Sequence, residues 1–131
     1  MRSIVFHGTA TRRMSEEELA SLWRERAEIE SHVEITGMLL HKAGEFLQVI
    51  EGPNAVIRDM YARILADPRN KEVRTISDRF IVEREFEGQP MGFLNLDELP
   101  AQTPLTDGFS YEAFSVEPES ALRTLRYFRY R

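Results

Sequence analysis

The chain has 131 residues, no cysteine and a formal net charge of −5. That length suits one domain, able to bury roughly two-thirds of its unfolded surface. The negative balance argues against non-specific nucleic-acid binding and against adhesion to an anionic membrane. Absent cysteine excludes a disulfide framework or a thiolate metal site. No apolar run approaches the roughly 20 residues that span a bilayer. Strand-like residues begin at Ser3 with no signal-peptide pattern, so the expected location is cytoplasmic.

Ile4-Val5-Phe6 reads as a first strand closed by Gly8. Ser15 is the expected N-cap of a first helix, with Glu18 completing a capping box and Glu16-Glu17-Glu18 suiting the positive end of the dipole. Leu19, Leu22, Trp23, Arg26 and Glu30 follow at helical spacing, so one stripe starts apolar and ends charged. Next come two apolar runs, Ile35–Leu40 and Phe46–Ile50, around a polar link that carries Gly44, which predicts an antiparallel hairpin. Alternation in the second run places Phe46, Gln48 and Ile50 on one face and Leu47 and Val49 on the other. Gln48 is thus an amide among hydrophobes at the centre of a sheet. It needs partners, because an unsatisfied buried amide costs roughly 1–3 kcal/mol. Nearby backbone or a polar ligand lodged against the sheet would each supply them.

Asn54 is the expected N-cap of a second helix with a stripe of Val56, Ile57, Met60, Tyr61, Ile64 and Leu65, ended by Pro68. Val73–Phe86 reads as a long strand and Met91–Leu94 as a short fifth one. The order β-α-β-β-α-β-β predicts a ferredoxin-like α+β sandwich with an added strand, whose two helices leave one sheet face bare. From Asp97 to Phe109 the composition shifts to that of a linker. The tail resumes as a helix near Pro118, with Leu122, Leu125 and Phe128 in one stripe and Arg123, Arg126, Arg129 and Arg131 beside it. Either that helix packs on the bare face with its arginines in solvent, or it docks a partner. The division is therefore a core over 1–96 and a linker with helical extension over 97–131.

The three histidines, His7, His32 and His41, lack metal-ligand spacing, so no metal site is expected. No catalytic triad, P-loop or dinucleotide fingerprint is present, and no catalytic residue is assigned.

Several motifs coincide. They are Met14-Ser15 with Glu18-Leu19, Ile35-Thr36-Gly37-Met38-Leu39-Leu40, and Gly44-Glu45-Phe46-Leu47-Gln48-Val49-Ile50-Glu51-Gly52. Asp67 with Arg69, Arg84 with Phe86, and Met91-Gly92-Phe93 complete them. Together they resemble the BLUF family of blue-light sensors, which hold FAD between two helices on a ferredoxin-like sheet. The resemblance covers roughly Ile4 to Phe93. It implies a sensory module that is not an enzyme, with FAD as cofactor and flavin-contacting positions at Phe6, Leu22, Glu30, Gln48, Arg69 and Met91. Gln48 falls on the family's photoactive glutamine. In the family mechanism, excited flavin takes an electron and then a proton from a tyrosine hydrogen-bonded to that glutamine.

Here the chain departs from the family. Phe6 stands at the tyrosine position and has no hydroxyl. Glu30 stands at the flavin-binding asparagine, and an ionised carboxylate only accepts hydrogen bonds. Ala27, Asn70 and Gln89 replace an arginine, a histidine and a tryptophan. The expectation is a BLUF-type module that signals through a regulatory protein partner in trans or a homo-oligomer, with flavin photochemistry weakened or lost and FAD binding counted against by these departures. The alternatives are a working photoreceptor with a variant pocket, in which Trp23 or Tyr61 replaces the electron donor, and a small-molecule enzyme using the cleft. The C-terminal stripe and its arginines are the expected contact surface.

Overall fold

The computed structural model describes residues 1–11, 15, 17, 18, 21, 24, 25, 28, 34–88, 92–98 and 109–129, with Asn70 by its backbone alone. The elements are β1 (Arg2–Ala10), β2 (Thr36–Lys42), β3 (Glu45–Gly52), α1 (Asn54–Ala66), β4 (Asn70–Phe80), β5 (Gly92–Asn95), a single 3-10 turn (Leu96–Glu98), α2 (Tyr111–Val116) and α3 (Pro118–Phe128). The strands form one five-stranded sheet in the order β4-β1-β3-β2-β5. Neighbours are antiparallel except β2 and β5, which run parallel. This is the ferredoxin-like α+β arrangement with its added strand.

The expected capping box forms: the Glu18 amide donates to Ser15 Oγ at 3.2 Å, and the Ser15 amide donates to Glu18 Oε1 at 3.3 Å. The hairpin turn forms as well. Ala43 (φ 50) and Gly44 (φ 80) both take left-handed conformations, the pattern of a two-residue turn whose twist matches the flanking strands. Asp97 secures this turn by accepting from the Ala43 amide at 3.1 and 3.2 Å. Gly37 permits the β2–β3 approach, since a Cβ there would lie 2.1 Å from the carbonyl oxygen of Val49.

Several boundaries differ from expectation. Strand one continues through Gly8 to Ala10, because β3 supplies partners as far as Thr9 opposite Glu45. Asn54 does not cap α1; its Oδ1 accepts from Arg2 at 3.3 Å, and Pro53 precedes the helix without a side-chain cap bond. Within the α1 stripe Leu65 is exposed, while Ile57, Met60 and Ile64 are buried. The long strand expected over Val73–Phe86 stops at Phe80. Beyond it the chain turns back over the sheet, held by Glu51, whose carboxylate accepts from the amides of Glu85 at 3.0 Å and Phe86 at 2.7 Å.

Each sheet face carries its own core. On one, Ile4, Phe6 and Ile50 pack with Ile57, Met60 and Ile64 of α1. On the other, Val5, Leu47 and Val49 pack with Phe86 and with Leu122, Leu125 and Phe128 of α3. Pro118 opens α3 as expected. The tail stripe is therefore core. Each fully buried leucine or phenylalanine contributes about 1.5–3 kcal/mol of transfer free energy, so the bare face is covered by the chain's own helix. As placed, the stripe offers no partner-docking surface, which corrects that expectation. The tail arginines also differ: Arg126 and Arg129 bond to Glu85, and Arg123 bonds to Glu117 at 2.8 Å. Helix α2, unforeseen in the sequence, is capped by Ser110, whose Oγ accepts from the Ala113 amide at 3.2 Å.

Candidate functional site

The β1–β3 register sets Phe6 opposite Gln48, and the β2–β3 register sets Leu39 on the other side of the same amide. Gln48 has no solvent exposure and Phe6 retains 3%. The Gln48 amide is engaged rather than left unpaired, which answers the cost of burying it. Its neighbour two residues on, Ile50, belongs to the core shared by Phe6 and α1. Strand alternation therefore directs Gln48 to that face too.

Tyr61, reaching over from α1, lies beside Phe6 with ring centroids 5.1 Å apart and planes tilted 49°. Its hydroxyl lies 2.6 Å from Thr75 Oγ1, and Thr75 is the register partner of Phe6 on β4. Burial raises the Tyr61 phenol above its ordinary pKa, with the Thr75 hydrogen bond opposing. A row of side chains thus crosses three strands: Thr75, Phe6 and Gln48, with one phenol above it. The row presents an apolar surface with a single amide as its polar element.

Arg69 sits away from this row, in the turn after α1, where the Thr11 amide donates to its carbonyl at 3.1 Å. The strand partner of the next residue, Asn70, is Ala10. Ala10 is four residues along β1 from Phe6, about 13 Å at strand rise. The Arg69 guanidinium donates to Asp67 at 2.6 and 2.9 Å and to Glu25 at 2.9 and 3.3 Å. Those two carboxylates, Asp67 foremost, raise its pKa. Both are already satisfied by Arg69, so a bound anion would compete with them. Leu22, Glu30 and Met91, named as flavin-contacting positions, lie outside the described residues. So do Trp23, Ala27 and Gln89.

Two buried polar groups were not singled out by sequence. Glu51, 1% exposed, also accepts from the Thr36 hydroxyl at 2.8 Å. Arg84 donates to that hydroxyl at 3.0 Å and to the Glu51 carbonyl at 3.2 Å. The available signal was a carboxylate ending an apolar strand. His7, on the face covered by α2 and α3, is 1% exposed. Its Nε2 lies 3.1 Å from Glu45 Oε1 without hydrogen-bond alignment, so both ring nitrogens are unbonded. The His7 ring faces Tyr111 at 6.1 Å between centroids, and the Arg74 guanidinium stacks 3.7 Å above the Tyr111 ring. Burial foremost, then Arg74, lowers the His7 pKa, with Glu112 and Glu72 opposing. His41 has a structural role: the Gly44 amide donates to its Nε2 at 3.2 Å, and its Nδ1 lies 3.0 Å from Asn95 Oδ1.

Among the described residues no group of three or more His, Asp or Glu side chains is placed to hold a metal ion. No helix among them is long and apolar enough to cross a membrane.

Comparison with known proteins adds to this geometry. Residues 1–92 match the profile of the BLUF family, sensors of blue-light using FAD. Over 86 residues, 66% of the chain, the sequence is 33% identical to the photoactivated adenylate cyclase subunit beta-like protein FB of Euglena gracilis. Over 115 residues, 86% of the chain, it is 32% identical to the photoactivated adenylate cyclase subunit alpha of the same organism. The matched segments are 10% and 11% of those proteins, so the chain spans about a tenth of their length. Among solved structures, the dark state of BlrB, a BLUF protein, superposes with a TM-score of 0.79 at 24% identity, covering 96% of this chain and 95% of that one.

Proposed function

Because the chain belongs to the BLUF family, sensors of blue-light using FAD, we propose that it is a sensory or regulatory module that acts through protein contacts, with the flavin photochemistry of the family weakened or lost. The observation that carries this is the pairing of Phe6 with Gln48 at the centre of the sheet, both buried. Where a proton-coupled electron donor would have to meet the amide there is a phenyl ring, which has no proton to give and holds its electrons tightly.

The described residues suit a flavin ring in part. Gln48 offers an amide that donates and accepts, and Phe6, Ile50 and Met60 offer an apolar wall. No phenol adjoins the amide at the Phe6 position. At the sequence level Glu30 adds a carboxylate where a neutral donor is needed. The arginine fork of Arg69 is already shared between Asp67 and Glu25. The relatives named for photoactivated adenylate cyclase are about ten times longer than the matched segment. The output proposed for this chain is contact with a regulatory protein partner or with a second copy of itself.

The test is a visible absorption spectrum of the purified protein with and without added FAD, in darkness and under blue light, for the wild type and for Phe6→Tyr. The expected result is no reversible red shift in the wild type and a gain of one in Phe6→Tyr. A reversible shift in the wild type that disappears in Tyr61→Phe supports the second reading, a working photoreceptor. The observation favouring that reading is the Tyr61 ring packed against Phe6.

A further inference from the structure

Packing alone does not account for His7. It is 1% exposed on the sheet face that carries Val5 and Leu47, and both of its ring nitrogens lack a hydrogen-bond partner. A buried polar group left unbonded is costly, and a phenyl ring in the same place would carry no such cost. One acid lies within reach. Glu45 Oε1 is 3.1 Å from His7 Nε2, outside hydrogen-bond alignment. The two residues are diagonal neighbours on the β1–β3 ladder, His7 standing opposite Leu47 and Thr9 opposite Glu45. The Glu45 side chain is 32% exposed, so it has room to turn and links the sealed imidazole to solvent. On the other side of His7 the ladder is irregular: β4 shifts register between the partners of His7 and Thr9, and Glu72 there takes a left-handed conformation at φ 52. Irregularities of this kind re-aim side chains and gather beside functional groups.

We propose that His7 and Glu45 form a proton-operated clasp between β1 and β3, in which uptake of one proton from solvent turns a neutral imidazole and a carboxylate into an ion pair and loosens Arg74 from Tyr111. Among the described residues, the other titratable and charged groups around the pair are Arg74 and Glu72 of β4, Tyr111 and Glu112 of α2, and Lys42 of β2. At neutral pH the ring is uncharged, because burial foremost and Arg74 next disfavour its protonated form, against Glu112 and Glu72. Protonation puts a hydrogen on both ring nitrogens, so Nε2 can donate to Glu45 whatever the starting tautomer. The proton then belongs to the pair rather than to either residue. The His7 ring lies 6.1 Å from the Tyr111 ring, whose face the Arg74 guanidinium already covers at 3.7 Å. A charged His7 stands at cation–π range of the same ring, and the two like charges compete for it. Arg74 is exposed, so the side chain that yields is the one with solvent to enter. A proton taken up in the core is thereby felt at the surface.

The experiment follows the histidine ring nitrogens and the arginine Nε groups of the full, 15N-labelled chain by NMR, from about pH 7.5 down to about pH 5. The His7 signals are identified by their loss in His7→Gln. On acidification His7 Nε2 is expected to gain its proton, and the Arg74 Nε and Tyr111 ring signals to move with the same midpoint. In Glu45→Gln the affinity of His7 for the proton is expected to fall about tenfold, the effect of removing an opposite charge at this range. In Tyr111→Leu, His7 is expected still to titrate while Arg74 no longer responds. A His7 midpoint unchanged in Glu45→Gln would overturn the proposal, because the carboxylate would then not be the partner. So would a ring that stays neutral while Glu45 takes the proton, and so would an Arg74 signal that holds still as His7 titrates in the wild type. These last two are read on the unaltered chain, so the proposal remains open to refutation even if a variant fails to fold. The clasp involves neither flavin nor a partner protein, so its failure is separable from the absorption result for Phe6→Tyr.

Discussion

Replacement of Glu51 by alanine would test the packing around the central strand most directly. Its carboxylate is 1% exposed and receives the Thr36 hydroxyl, the Glu85 amide and the Phe86 amide at 2.8, 3.0 and 2.7 Å. Alanine strips the acceptor from all three. The Phe86 amide suffers most, since its side chain has no solvent exposure and water has little access to it. A buried donor left unsatisfied costs roughly 1–3 kcal/mol, and bonds to a charged acceptor stand at the upper end. The Thr36 hydroxyl can rotate away, so two stranded amides set the scale, giving a loss of about 3–5 kcal/mol. Against a total stability of about 5–15 kcal/mol, that is a large fraction. Urea denaturation followed by tryptophan fluorescence and far-ultraviolet dichroism would measure it, with a fall in melting temperature of about 10 °C or more as the thermal counterpart. Glu51→Gln keeps one acceptor oxygen but turns an NH2 group toward an amide, so it should fall between wild type and alanine. A loss below about 1 kcal/mol for Glu51→Ala would refute the claim that this carboxylate holds the 84–86 segment on the sheet.

Two further outcomes follow from single positions. Gly37→Ala should prevent normal β2–β3 pairing, since its Cβ would fall 2.1 Å from a backbone oxygen that cannot move aside. A loss of at least about 3 kcal/mol, or recovery only from inclusion bodies, is expected, and a melting curve like the wild type's would contradict it. His7 sets a pH dependence. Burial lowers its folded pKa below the ordinary 6.5, so the unfolded chain binds the proton more readily and stability falls as pH drops from about 6.5. Glu45, raised chiefly by burial and then by Glu112, works in the opposite direction just above the ordinary carboxylate range. His7→Phe should therefore flatten the stability profile between roughly pH 5 and 6.5, measured by urea midpoints; an unchanged slope there would point to another group.

Much of the frame was legible in the residues themselves. Local chemistry acts over three or four positions. Ser15 with Glu18 therefore announced a capping box, Gly44 a hairpin turn, and the alternation around Gln48 a buried amide, and each stands as expected. The family motifs lie in those same segments. The candidate site was legible in part for the same reason: strand period fixes which face Gln48 takes, though not what stands beside it.

Only the tertiary structure decided the rest, because the deciding partners are far apart in sequence. Gly8 looked like a strand end, and β1 passes through it because β3 continues to offer partners on the other side. Val73–Phe86 carried strand residues throughout, and the chain leaves the sheet after Phe80 because Glu51, 34 and 35 residues away, binds the amides of Glu85 and Phe86. Leu122, Leu125 and Phe128 had the same spacing whether they met a partner or the core. Periodicity says that a helix has an apolar side, and the uncovered sheet face decides what that side meets. For this protein it is the sheet's own Val5, Leu47 and Val49.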